Sequence, residues 1–110
     1  MKQYKVRITR QAREHLREIY RHISQELMSP VAAENTLAKL YKEIRSLDQM
    51  PKRIHLTPEP KWNEQGIRRM LVKNYYVYFW VDEGNARVQV TGIIYVKRDQ
   101  ARQLENMDME

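Results

Sequence analysis

Residues 75–82 read YYVYFWVD, a run that is apolar or aromatic at every position but the last. A strand turns alternate side chains to opposite faces, so a run with no polar face belongs in the middle of a sheet. Tyr75, Val77, Phe79 and Val81 would line one face, and Tyr76, Tyr78 and Trp80 the other. Asp82-Glu83-Gly84-Asn85 has the composition of a hairpin turn. Beyond it, 87–97, RVQVTGIIYVK, is long and β-branched, and on the other side 67–73 reads as a mixed strand after Gly66. Three strands therefore follow one another in the second half of the chain.

The first half has a different rhythm. Tyr4, Val6 and Ile8 alternate with Lys5, Arg7 and Thr9, the pattern of a short strand with one buried face. From Thr9 as N-cap, Ala12, Leu16, Ile19, Tyr20, Ile23 and Leu27 fall on one helical stripe of about four to five turns. Met28-Ser29-Pro30 ends it and starts another helix, because Ser caps well and Pro tolerates the first helical position. That helix carries Ala33, Leu37, Leu40, Tyr41, Ile44 and Leu47 and stops before Pro51, which predicts an antiparallel helix hairpin. Residues 50–66, with Pro51, Pro58 and Pro60, follow neither period and read as a long loop holding His55 and Trp62. Gln100 to Met107 reads as a short helix. The order β-α-α-β-β-β specifies an α+β fold, a helix hairpin packed on one face of a mainly antiparallel four-stranded sheet. The other face, carrying Tyr76, Tyr78 and Trp80, is expected to be partly open.

A chain of 110 residues, 42% of them hydrophobic, supports one core, so residues 1–110 read as a single domain. There is no membrane-length apolar run and no signal-like start, which makes the cytoplasm the expected compartment. The absence of cysteine excludes disulfides and thiolate chemistry, and no residue pattern calls for a metal or another cofactor. The net charge of +6 favours an anionic partner. Positions 66–98 hold Arg68, Arg69, Lys73, Arg87, Lys97 and Arg98 against only Asp82 and Glu83. Cations on neighbouring strands repel unless something anionic lies between them.

Three segments, YKVRITRQAREHLREIYRHIS, GIRRMLVKNYYVYFWVDEGN and VTGIIYVKRDQARQL, together resemble the ParE/RelE superfamily of toxins from type II toxin–antitoxin modules. The resemblance covers nearly the whole chain and implies two possible activities. RelE-like members are ribosome-dependent mRNA interferases; ParE-like members inhibit DNA gyrase. Cutting RNA through its own 2′-OH requires a base, an acid and cations for the developing charge. Of the residues the resemblance implies for that work, Arg69 and Arg98 are kept, whereas Ile67, Tyr76 and Leu104 replace a Lys, an Arg and a Tyr. Tyr95 stands where many relatives have His, and His15, His22 and His55 all precede these strands. If the chain is an RNase, the candidates are Arg69, Tyr76, Tyr95 and Arg98. Arginine is a poor base, with a pKa above ~12.

The resemblance thus implies a ParE-like growth-inhibiting toxin acting on gyrase and neutralised by a cognate acidic antitoxin. The alternatives are an interferase acting on ribosome and mRNA, and a non-toxin nucleic-acid-binding module using the aromatic strand. Arg68, Arg69, Lys73, Lys97 and Arg98 are the candidate target-binding residues, with no metal among them. His15, Glu18 and His22 share a helical face but read as surface residues. Arg13, Arg17 and Arg21 read as a solvated face paired with Glu14 and Glu18, an anion site being the alternative.

Overall fold

Thr9 ends the first strand and starts the first helix. Its side-chain oxygen accepts from the Ala12 N–H at 3.2 Å, its own N–H donates to the Val90 carbonyl at 2.9 Å, and the residue is buried. In the computed structural model, which describes residues 2–110, strand β1 is Lys5–Ile8 and helix α1 is Arg10–Arg21. The helix widens into a π-helical turn at His22–Glu26. Ser29 caps helix α2, Pro30–Arg45, accepting from the Ala32 N–H, with Pro30 at the first position as its missing donor allows. Helix α3 is Pro60–Glu64, strands β2, β3 and β4 are Arg68–Val72, Tyr75–Asp82 and Arg87–Tyr95, and helix α4 is Gln100–Glu105.

The sheet runs β1-β4-β3-β2, with β1 parallel to β4 and the other pairs antiparallel. The aromatic strand β3 is therefore interior, as its two apolar faces require. On one face Val77 and Phe79 join Leu16, Leu40, Ile44 and Val90 in a core closed by α1 and α2. This is the expected layer. The stripe on α1 is narrower than its period implied: Tyr20 is 40% exposed at its margin, and Leu27 is 60% exposed because the helix changes pitch after Arg21 and carries it out to the hairpin tip.

The opposite face of β3 departs from the expected open surface. Tyr78 is fully buried in a second apolar cluster with Trp62, Ile67, Ile94, Leu104 and Met107, against which Tyr76 and Trp80 pack. The segment 50–66 is also not one irregular loop. Pro51–Arg53 forms a 3-10 turn, Leu56 bridges to Arg68, and α3 inserts Trp62 beneath the sheet. The tail seals the rest, with the Trp80 indole N–H donating to the Met109 carbonyl at 2.7 Å. The molecule has two apolar layers, one on each side of β3.

A bulge in β4 decides which of its residues face each layer. Tyr78 pairs with Gly92 but Phe79 with Val90, so Thr91 is an extra residue on β4. Val88 and Val90 face the helices; after the bulge Ile93 does so too, while Ile94 faces the second cluster. Gly92 sits where the layers approach. A Cβ there would lie 2.4 Å from the Met107 methyl and 3.3 Å from His15 Cε1. His15 is not a surface residue as its helical position suggested: it is half-buried, and its Nδ1 accepts from the Ile93 N–H at 3.1 Å.

Two predictions follow from these layers. Leu104→Ala should cost about 2–5 kcal/mol in denaturant unfolding, the range for a buried leucine, whereas a surface site would give under about 0.5. Burial lowers the His15 pKa below 6.5, against the opposing pull of Glu18 and Glu14. Below that value the unfolded chain binds the proton more readily than the folded one, so the stability His15 contributes above pH 6.5 is lost as pH falls. Unfolding measured across that window should show this decline, and His15→Gln should remove it.

Candidate functional site

The end of the β3–β4 pair leaves a cleft of about 740 Å³ against the C-terminal part of α1. Its floor is Tyr75, Ile93 and Tyr95, with the two tyrosine rings 5.8 Å apart. His15, Ile19, His22 and Leu27 form one wall, and Lys73 and Arg98 stand on the opposite lip. Burial, and then the neighbouring Tyr95, raise the pKa of Tyr75, which keeps its hydroxyl protonated at neutral pH. His15 is occupied as an acceptor, and His22 is paired through Nδ1 with Glu26 one turn on.

Each lip is built by a turn. Lys73 lies between β2 and β3 with φ of +53°, a left-handed conformation that a lysine adopts only at some cost. Arg98 lies in the turn after β4, where its N–H donates to the Tyr95 carbonyl at 3.0 Å. Gln100 fixes that turn. Its side-chain nitrogen donates to the carbonyls of Tyr95 and Arg98 at 2.9 and 2.8 Å, and its oxygen accepts from the Tyr78 hydroxyl at 2.7 Å. Burial pushes the Tyr78 pKa up to about 12, with the nearby Arg69 guanidinium acting against it, so the hydroxyl remains a donor. The buried strand thereby sets the position of an exposed cation. Gln100 was not singled out in the sequence; its place one residue beyond an Asp99 N-cap was the only signal.

The structure divides the cations that the sequence grouped. Arg68 and Arg69 are adjacent on β2 and face opposite ways. Arg68 donates to the Ile54 carbonyl at 2.6 Å and the Lys52 carbonyl at 3.3 Å, tying segment 52–54 to the sheet. Arg69 lies 4.0 Å over the Tyr76 ring and 3.7 Å from the Glu59 carboxylate, and both partners of that ion pair are only 21% exposed. Lys97 is exposed on the turn beside Arg98. Lys73, Tyr95 and Arg98 meet at the cleft, while Arg69 and Tyr76 lie on the other face of the sheet. Ile67 and Leu104, at two positions where the resemblance implied Lys and Tyr for an RNase, are 3% and 1% exposed within the second cluster. Among the described residues no group of three or more His, Asp or Glu side chains could hold a metal ion, and no helix is long and apolar enough to cross a membrane.

Comparison with known proteins agrees with this architecture. Solved structures with the same fold include the chromosomal ParDE toxin–antitoxin system of P. aeruginosa, at TM-score 0.72 and 20% identity over 88% of this chain and 100% of that one. The RelBE2 toxin–antitoxin complex of Mycobacterium tuberculosis follows at 0.63 and 18%, covering 84% and 98%. A mutant of the E. coli toxin RelE in the free state gives 0.58 and 12%, covering 92% of each chain. No curated protein sequence matches the chain. The family model described as the ParE toxin of the type II toxin–antitoxin system parDE matches residues 6–100. With that match spanning α1 to α3, β2 to β4 and nearly all of β1, the chain belongs to the ParE toxin family of type II toxin–antitoxin systems.

Proposed function

We propose that this toxin inhibits DNA gyrase through contacts made by the cleft and its lip, and that it transfers no proton in doing so. The observation that carries this reading is the second apolar cluster. It separates the candidate interferase residues: Arg69 and Tyr76 lie on the face filled by Ile67, Tyr78, Ile94 and Leu104, where Glu59 and Tyr76 engage Arg69, while Tyr95 and Arg98 lie apart from them at the cleft. Water and RNA have no access to a packed core, and the Arg69 guanidinium is already engaged by a carboxylate. The cleft offers two exposed cations, Lys73 and Arg98, above two tyrosine rings. That combination suits adhesion to an acidic and aromatic protein surface, where arginine and tyrosine contribute most per contact.

A cognate antitoxin with an acidic segment that folds on binding would neutralise the toxin. The exposed apolar residues at the tip of the helix hairpin, Leu27, Met28 and Val31, at 60%, 82% and 68%, support a partner helix contacting that end, with the net charge of +6 favouring an acidic sequence. Localisation in the cytoplasm goes with such a target.

In a supercoiling assay the purified chain should inhibit gyrase while leaving ribosome-bound messenger uncut. Arg98→Ala and Lys73→Ala should each raise the inhibitory concentration about tenfold, equal to ~1.4 kcal/mol. Tyr95→Phe should change it less than about twofold. If Tyr95→Phe abolished toxicity and messenger cleavage together, with gyrase unaffected, the interferase reading would replace this one. Lys73→Gly separates stability from function: relief of the left-handed strain should stabilise the fold by about 0.5–1 kcal/mol while toxicity falls.

A further inference from the structure

Away from the cleft, the edge of the sheet formed by β1 carries an unpaired concentration of positive charge. Lys5 is directly opposite Arg87 in the parallel register, two cations side by side on one sheet face. Like charges so placed repel; on its other side Arg87 stands opposite Asp82, whose carboxylate accepts from the Asn85 N–H and side-chain amide and makes no ion pair with Arg87. Arg13, reaching from α1, joins them around an open groove of about 460 Å³. Its guanidinium Nε donates to the Ile8 carbonyl at 3.2 Å, which holds the side chain at the groove. From there Arg17 and Arg21 continue along α1 at intervals of four residues, about 6 Å of helix rise each.

The expected pairing of this stripe with Glu14 and Glu18 is not found. The one ion pair on α1 among the described residues outside the His22–Glu26 turn is Arg10 with Glu14, at 3.8 Å and largely exposed. Lys5, Arg13, Arg17, Arg21 and Arg87 have no carboxylate within 4 Å among the described residues. Glu14 and Glu18 flank the stripe on one side only. Arg7, also at the groove, is held by the Gln89 side chain and the Glu110 main-chain oxygen.

We propose that Lys5, Arg87, Arg13, Arg17 and Arg21 form a second binding surface, for the phosphodiester backbone of duplex DNA. Guanidinium groups in a row match phosphate oxygens bidentately. The groove has none of the exposed large apolar side chains that would anchor a protein partner and no aromatic ring; on α1 the exposed Tyr20 lies in sequence between Arg17 and Arg21. The contact is to backbone and is indifferent to sequence. The proposal stands apart from the gyrase reading, since it concerns a different face of the molecule.

The test is fluorescence anisotropy of the full chain with a labelled mixed-sequence duplex of thirty base pairs, between about 50 and 200 mM salt. Five phosphate contacts predict that log K falls with log salt at a slope of about −4 to −5. Replacing Arg13, Arg17 and Arg21 by Ala should make the slope about three units shallower. Lys5→Gln with Arg87→Gln should make it about two units shallower, an independent reading from the sheet side. Replacing Lys39, Lys42 and Arg45 on α2 by Ala removes the same net charge and should leave the slope within about one unit of the original. Equal weakening by the α2 variant, or no duplex binding at all, would overturn the proposal. So would displacement of the duplex by polyglutamate at the same concentration of negative charge as by unlabelled duplex, which would assign the surface to an acidic protein segment.

Discussion

Everything in this structure depends on β3 being buried on both sides. Val77, Tyr78 and Phe79 have no exposed surface, and consecutive residues face opposite layers. A strand of this kind demands cover twice over. The helix hairpin supplies one cover; α3, α4 and the tail supply the other from residues at the middle and end of the chain. The apolar transfer contribution of such side chains, about 1.5–3 kcal/mol each, makes both covers part of the fold rather than attachments to it. The bulge at Thr91 shifts the alternation of β4 by one residue, so that Ile93 joins Val88 and Val90 in one layer and Ile94 faces the other.

Function follows from what this packing leaves outside. With the second face filled, the exposed chemistry moves to the ends and edges of the sheet. Tyr78 is at once a core residue and a support for the surface, because its hydroxyl holds Gln100, and Gln100 holds the turn that carries Arg98. At the other end of β3 the Glu83 carboxylate gathers Lys2, Tyr4 and Lys52 around the β3–β4 turn. Those partners hold its pKa down at about 2, hydrogen bonds from Lys52, Lys2 and Tyr4 being the main causes. Lys73 and Arg98 at the cleft lip, and Lys5, Arg13, Arg17, Arg21 and Arg87 along β1, β4 and α1, are among the cations that have no carboxylate within 4 Å among the described residues.

Helices α1, α2 and α4, the capping residues Thr9 and Ser29, the hairpin at 82–85 and the interior place of β3 were legible, because each rests on local periodicity or on a side chain acting within four residues, whereas the short α3 was hidden in a segment read as a loop. The cover on the second face was not legible. Trp62, Leu104 and Met107 come from segments too short or too proline-rich to show a period, and their burial is decided by a surface elsewhere in the sequence. The candidate site was partly legible for the same reason. Lys73 and Arg98 were visible as cations, but neighbours in sequence such as Arg68 and Arg69 diverge because strand residues alternate. His15 looked like a surface residue on α1 because its partner, the Ile93 amide, lies 78 residues away. Gln100 was unremarkable until the fold placed the Tyr78 hydroxyl beside it.

The central claim is that the C-terminal segment is part of the core and, with Trp62, closes the second face of β3. Native-state hydrogen exchange addresses it most directly. The amides of Gln103 and Met107, which donate to Asp99 and Leu104, are the reporters, read against amides in β3. Exchange of both sets only through global unfolding, with the same steep dependence on denaturant, is the predicted result. Fast exchange of Gln103 and Met107 with no denaturant dependence, while β3 remained protected, would show a segment that opens on its own and would contradict the account.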